Sequence, residues 1–178
     1  MVAQIDAFER FNPAAGDPRR WFVTVAQSGG GPMMDFGCHR LEVLLNLFGP
    51  VKQISGVTAR VIFDREVEDT AVATLQFEAG PCATVTVTHA VMESRDTIDI
   101  FATDGSMHIG KLNAGDLRIV TPAGERLETH APAANLHAPL VEDFVGAVLH
   151  GRAPAVTGEI GRVVALLEDT IYARASIR

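Results

Sequence analysis

Between Val51 and Thr129 the sequence is a succession of short β-branched segments separated by turn signals, with one helical pattern before it and two after. That order restricts the chain to an α+β fold: an open, mostly antiparallel sheet with helices packed on one face. Val2 to Phe11 predicts a first strand, and Trp21 to Val25 a short one. Further strands are predicted over Val51–Ile62, Thr70–Phe77, Cys82–Val91, Thr97–Thr103, Met107–Ile109, Leu117–Thr121 and Arg126–Thr129. Met34, Cys38, Leu41, Leu45 and Phe48 recur at spacings of three and four, which predicts a helix from Pro32 to Phe48 stopped by Gly49-Pro50. Leu136, Leu140, Phe144, Ala147 and Val148 mark a second amphipathic helix ending at His150-Gly151. Ile160, Val163, Val164, Leu167 and Ile171 mark a third, from Glu159 to Ser176.

A chain of 178 residues with 47% hydrophobic and 21% charged residues is expected to form one globular domain over 1–178. The net charge is −7, and lysine occurs only at Lys52 and Lys111, so neither a nucleic acid nor a membrane surface is expected as a partner. No apolar run reaches membrane-span length, and Met1 to Arg10 has no signal-peptide pattern. Two cysteines, Cys38 and Cys82, are too few for a disulfide framework or a structural zinc site, which suits a reduced, cytoplasmic protein. Neither G-x-G-x-x-G nor a phosphate-loop pattern occurs, so no cofactor is expected on this chain alone.

Asp35, His39, Glu42 and Asn46 are spaced to fall along one helix face. An Asp one turn before a His can hold its imidazole in one tautomer, and such a pair can exchange a proton with a substrate hydroxyl or carbonyl. The same spacing also suits an ordinary solvated helix face, and a metal there would find no third ligand except Glu42. Gly29-Gly30-Gly31 lets backbone amides approach an anion at the helix start, or simply forms a tight turn. His89 is in phase with Ala83, Val85 and Val87, which predicts a buried, hydrogen-bonded histidine. His108, His130 and His150 have no acidic partner at motif spacing, and no Ser-His-Asp signature is present.

Ser28-Gly29-Gly30-Gly31-Pro32-Met33-Met34-Asp35-Phe36-Gly37-Cys38-His39 resembles the S-G-G-G-x-x-x-D-x-G-x-H motif of the Gfo/Idh/MocA oxidoreductases. Leu47 to Val51, Phe101 to Ser106 and Phe144 to Pro154 resemble further segments of that family's C-terminal domain. The resemblance runs from Val2 to Tyr172 and implies that domain alone, with the N-terminal Rossmann domain and its E-K-P lysine absent. It implies catalytic roles for Asp35 and His39 and substrate contacts from Asp35, His39 and Glu42. Glu42 stands where many members have Asp, and Phe22 where an Arg is common. The function it implies is the substrate-binding and oligomerisation half of an oxidoreductase. The intact enzyme would use NAD or NADP, supplied through a separate Rossmann domain, on a small hydroxyl-bearing substrate such as a sugar or cyclitol. The alternative is a non-catalytic module for ligand binding or assembly.

One last pattern concerns partners. Thr84, Thr86 and Thr88, with Val72, Thr74 and Gln76, make one face of the predicted sheet β-branched and nearly uncharged. Such a face is better explained by burial against a second copy than by exposure, so a homodimer packed sheet to sheet is expected.

Overall fold

The computed structural model describes residues 1–174. It contains one eight-stranded sheet of order β2-β3-β4-β1-β5-β6-β7-β8. The strands are β1 (Val2–Arg10), β2 (Val51–Ala59), β3 (Thr70–Phe77), β4 (Cys82–Thr88), β5 (Ala90–Ala102), β6 (Gly105–Ile109), β7 (Asp116–Thr121) and β8 (Gly124–Thr129). Only β1 and β4 run parallel; every other pair is antiparallel. The helices are a single turn, α1 (Val25–Ser28), then α2 (Cys38–Phe48), α3 (Ala138–His150) and α4 (Gly158–Arg174). The α+β architecture expected from the sequence is therefore present.

Alternation along the central strands makes one face dry. Ala3, Ile5 and Ala7 of β1, Ala73 and Leu75 of β3, and Val85 and Val87 of β4 are all buried beneath the helices. Leu41 and Leu44 of α2 and Val164, Leu167 and Ile171 of α4 close this core. Alanine at positions 3, 7, 71, 73 and 83 keeps the sheet surface low, so the two helices lie close upon it.

Several boundaries differ from expectation. Trp21 to Val25 is not a strand: Arg20–Val23 is a 3-10 turn leading into α1, after two prolines have broken the ladder. The strand predicted to reach Ile62 ends at Ala59, because the amides of Val61, Ile62 and Phe63 turn inward to the Asp69 carboxylate at 2.8 to 3.1 Å. Cys82–Val91 is broken at His89, which forms the bend between β4 and β5. The final helix is described through Arg174, so Ala175 and Ser176 lie outside the described residues.

Two of the predicted apolar stripes also shift. In the first helix the deeply buried residues are Met33, Leu41 and Leu44, with Met34, Cys38 and Leu45 only partly covered. On α3 only Ala147 is buried, while Leu140, Phe144 and Val148 are exposed, since α2 and α4 already occupy the sheet. No helix among the described residues is long and apolar enough to cross a membrane.

Candidate active site

The helix that carries Asp35 and His39 does not begin as an α-helix. Met33–Gly37 is a π-turn, with the Cys38 N–H bonded to the Met33 carbonyl. A π-turn inserts one extra residue, so side chains four apart no longer stack as they do on an α-helix. Asp35 consequently turns toward His89, with its Oδ2 3.4 Å from the His89 Nε2. His39 is exposed and lines, with Glu42, a groove of about 290 Å³ between α2 and α4. Among the described residues no hydrogen bond or ion pair joins Asp35 to His39. The structure thus brings His39 and Glu42 to one groove, sets Asp35 one turn away against the sheet, and leaves Asn46 exposed.

The glycine run has a structural occupant. Glu68 accepts hydrogen bonds from the Gly31 amide at 2.8 Å, the Met33 amide at 3.4 Å and the Tyr172 hydroxyl at 2.6 Å. The anion at this helix start is therefore the protein's own carboxylate. A Cβ at Gly31 would lie 2.1 Å from the Glu68 carbonyl oxygen, and one at Gly30 would lie 2.2 Å from the Tyr172 hydroxyl. Both glycines serve close approach.

Around Asp35 the structure assembles residues that no motif joined. Glu9 sits where the β1–β5 register slips between Phe8 and Arg10, an irregularity that re-aims its side chain. Its Oε1 is 3.7 Å from the His89 Nε2. His89 is wholly buried, flanked edge to face by Phe11 and Phe36 at 5.1 and 5.0 Å. Arg65, also buried, donates from Nη2 to the His89 Nδ1 at 3.1 Å. Glu9 and Phe36 open onto a cleft of about 720 Å³ that Arg40, Arg95, Asp96 and Lys111 also line. Arg40 donates Nη2 and Nε to one oxygen of Asp96 at 2.7 and 3.1 Å, tying α2 to β5 at the cleft wall.

Sequence reasoning singled out His89 only as a buried histidine. Glu9 and Arg65 gave no signal, since a strand irregularity and a loop arginine have no periodicity. Glu168 was missed too. It lines the groove beside His39, and burial, reinforced by Asp169, raises its carboxyl to about 7. Burial likewise raises the neighbouring Cys38 thiol to about 11, with Glu168 adding to the shift, so Cys38 is not a thiolate nucleophile at neutral pH.

On the opposite sheet face, pairing supplies the partner His108 lacked in sequence. Asp99 lies directly across from it, with Oδ1 2.5 Å from Nδ1, while Ser106 Oγ is 2.8 Å from Nε2. The contacts have the order of a Ser-His-Asp relay. The strand β6 that carries Ser106 and His108 is laddered on both sides, by β5 and β7, so its own amides are engaged in the sheet rather than offered to an oxyanion.

Comparison with known proteins places the fold. Residues 3–108 match the family model of the GFO/IDH/MocA C-terminal domain. No curated protein matches the chain. Among solved structures, levoglucosan dehydrogenase in complex with NADH and levoglucosan is 18% identical, with a TM-score of 0.85 over 98% of this chain and 56% of its own. An Agrobacterium radiobacter oxidoreductase in complex with NAD+, L-tartaric acid and magnesium is 19% identical, with a TM-score of 0.81 over 98% and 54%. The Bordetella pertussis WlbA dehydrogenase in complex with NADH and UDP-GlcNAcA is 22% identical, with a TM-score of 0.79 over 98% and 52%. These likenesses establish the shared fold, and the chain spans little more than half the length of each of these proteins. With the family model covering more than half of its residues, the chain belongs to the GFO/IDH/MocA C-terminal domain family.

Proposed function

We propose that this chain is the substrate-binding and oligomerisation half of an NAD(P)-dependent oxidoreductase. Its substrate is a small hydroxyl-bearing molecule such as a sugar or cyclitol. The observation that carries the proposal is the helix start at Met33–Gly37. Within a domain of this family, a π-turn presents Asp35 to a small pocket beside Trp21 and Phe22, and His39 one turn later to an open groove. Local π-turns are found disproportionately at functional sites.

The glycine-rich helix start of this chain is not free to cradle a dinucleotide. The amides of Gly31 and Met33, which would meet a phosphate at a helix start, already meet Glu68. The nucleotide therefore belongs, in this proposal, to a separate dinucleotide-binding domain. What this chain contributes is orientation and proton transfer. The Asp35 carboxylate accepts a hydrogen bond from a substrate hydroxyl other than the one oxidised and so fixes the direction of the molecule. His39, exposed on the groove, takes the hydroxyl proton as the carbonyl forms and returns it in the reverse reaction. Glu42, on the same groove, holds a further hydroxyl.

The exposed apolar face of α3 supports the same reading. Leu140, Val141, Phe144, Val148 and Leu149 all stand in solvent, a contiguous apolar surface of the kind that marks an interaction site. Calorimetric titration of the chain with NADH and NADPH tests the division of labour. The expected result is no binding in the low-micromolar range. Tight binding of either nucleotide by this chain contradicts the proposal.

A further inference from the structure

His89 is fixed more completely than a core histidine needs to be. Its N–H donates to the Asp69 carbonyl at 2.8 Å, and its own carbonyl accepts from the Phe11 amide at 3.0 Å. The ring is sealed between Phe11 and Phe36. Three charged groups face it from three different elements: Glu9 from β1, Asp35 from the π-turn, and Arg65 from the loop before β3.

Arg65 determines which ring nitrogen carries the hydrogen. A guanidinium has five N–H donors and no acceptor. With its Nη2 3.1 Å from the His89 Nδ1, that nitrogen must present a lone pair. The neutral ring then carries its hydrogen on Nε2. Nε2 is buried, has no hydrogen-bond partner, and lies 3.4 Å from Asp35 Oδ2 and 3.7 Å from Glu9 Oε1. The Nε2–H thus lies near two carboxylates without being bonded to either, and its hydrogen bond is left open.

The same three side chains resemble a metal site, since ligand atoms of Glu9, Asp35 and His89 lie within 4.8 Å of one another. A metal needs the Nε2 lone pair, which moves the ring hydrogen to Nδ1. Histidines that bind metal donate that second N–H to an acceptor. Here Nδ1 faces an arginine, so the hydrogen would meet another donor. The chemistry of the cluster favours a carboxylate or hydroxyl oxygen at Nε2 over a cation.

We infer that Arg65 and His89 form a positioning pair for Asp35: Arg65 holds His89 as the Nε2–H tautomer, and His89 directs that N–H to the Asp35 carboxylate and the hydroxyl it binds. The role for a bound hydroxyl rests on the substrate-facing assignment of Asp35 above; the tautomer does not.

Nitrogen-15 NMR of the imidazole in the full chain tests this directly. The expected spectrum at neutral pH shows a protonated Nε2 and an unprotonated Nδ1 for His89. Arg65→Met is expected to release the preference and give a mixture of tautomers. His89→Gln can accept from Arg65 and donate to Asp35, whereas His89→Leu can do neither. The carbon-13 resonance of the Asp35 carboxyl is therefore expected to hold its position in His89→Gln and to move in His89→Leu. Calorimetry with zinc and manganese is expected to show no stoichiometric site. An Nδ1–H tautomer or a doubly protonated ring at neutral pH overturns the inference. So does stoichiometric metal binding that His89→Gln abolishes. None of these measurements depends on nucleotide or turnover, so a failure of the oxidoreductase proposal leaves them intact and is seen separately.

Discussion

Glu168 reaches from α4 into the groove it shares with His39, and its buried Oε1 has no hydrogen-bond partner. Burial disfavours the ionised form, so the folded carboxyl titrates at about 7 against 4.5 when unfolded. The folded state thus keeps a proton that the unfolded state releases. Stability from this group is full below the unfolded value, falls as pH rises between the two values, and levels off above about 7. Glu168→Gln should remove that loss. Urea denaturation is expected to show a gain of up to about 3 kcal/mol near pH 8 and almost none near pH 4. An equal effect at both pH values would mean that folding leaves the titration of this carboxyl unshifted. Asp69 shows the opposite balance. Burial opposes its charge, but the amides of Phe63, Ile62 and Val61 overcome that and hold its carboxyl below the ordinary range. A buried carboxylate is inexpensive at Asp69 and costly at Glu168 because only the first is fully hydrogen-bonded.

At the scale of elements, the glycine run separates packing from ligand binding. Gly31→Ala drives a methyl group against the Glu68 backbone, which cannot move aside as a flexible side-chain end would. It is expected to cost about 2 kcal/mol or more and to lower Tm. Gly161, inside α4, has open space around its Cβ position, so Gly161→Ala should instead gain about 0.5–1 kcal/mol. Thermal melts of the two variants check both, and similar shifts would mean that the Glu68 contact is not tight. These elements also show what sequence patterns convey. Alternation along β3 and β4 named the buried face position by position, because period two survives any tertiary context. The buried stripe of the first helix starts one residue out of phase with the predicted one, at Met33 rather than Met34. The pattern assumed 3.6 residues per turn, and Met33–Gly37 has a wider turn. Asp35 and His39 were identifiable as chemistry-bearing residues, but Glu9 is placed only by the β1–β5 register and Arg65 only by the path of the loop before β3. On α3 the apolar spacing was correct and the burial was not, since periodicity says which face is apolar and nothing of what covers it.

For the molecule as a whole, the outer sheet face is more mixed than the sequence suggested. Ser55, Val57, Val72, Thr74, Thr84 and Thr86 form an uncharged patch across β2, β3 and β4. Beyond it, Asp6 of β1 stands opposite Thr86 and pairs with Arg95. A homodimer through this face would therefore centre on the β2–β4 patch. An arginine at position 86 would find Asp6 beside it, so Val72, between Val57 and Thr86, is the better place for a repelling charge. Light scattering is expected to give a dimer for the unaltered chain and a monomer for Val72→Arg, and a dimer for both would remove this face from the assembly. The central proposal is that the Asp35–His39 helix start binds the substrate while a second body brings the nucleotide. Its most direct test is to join the chain to a dinucleotide-binding domain of this family, find a sugar or cyclitol it oxidises, and measure kcat/KM for His39→Ala. A fall of roughly 10²–10⁴ is predicted, the scale of a lost general acid and base. A rate unchanged by the substitution would contradict the account.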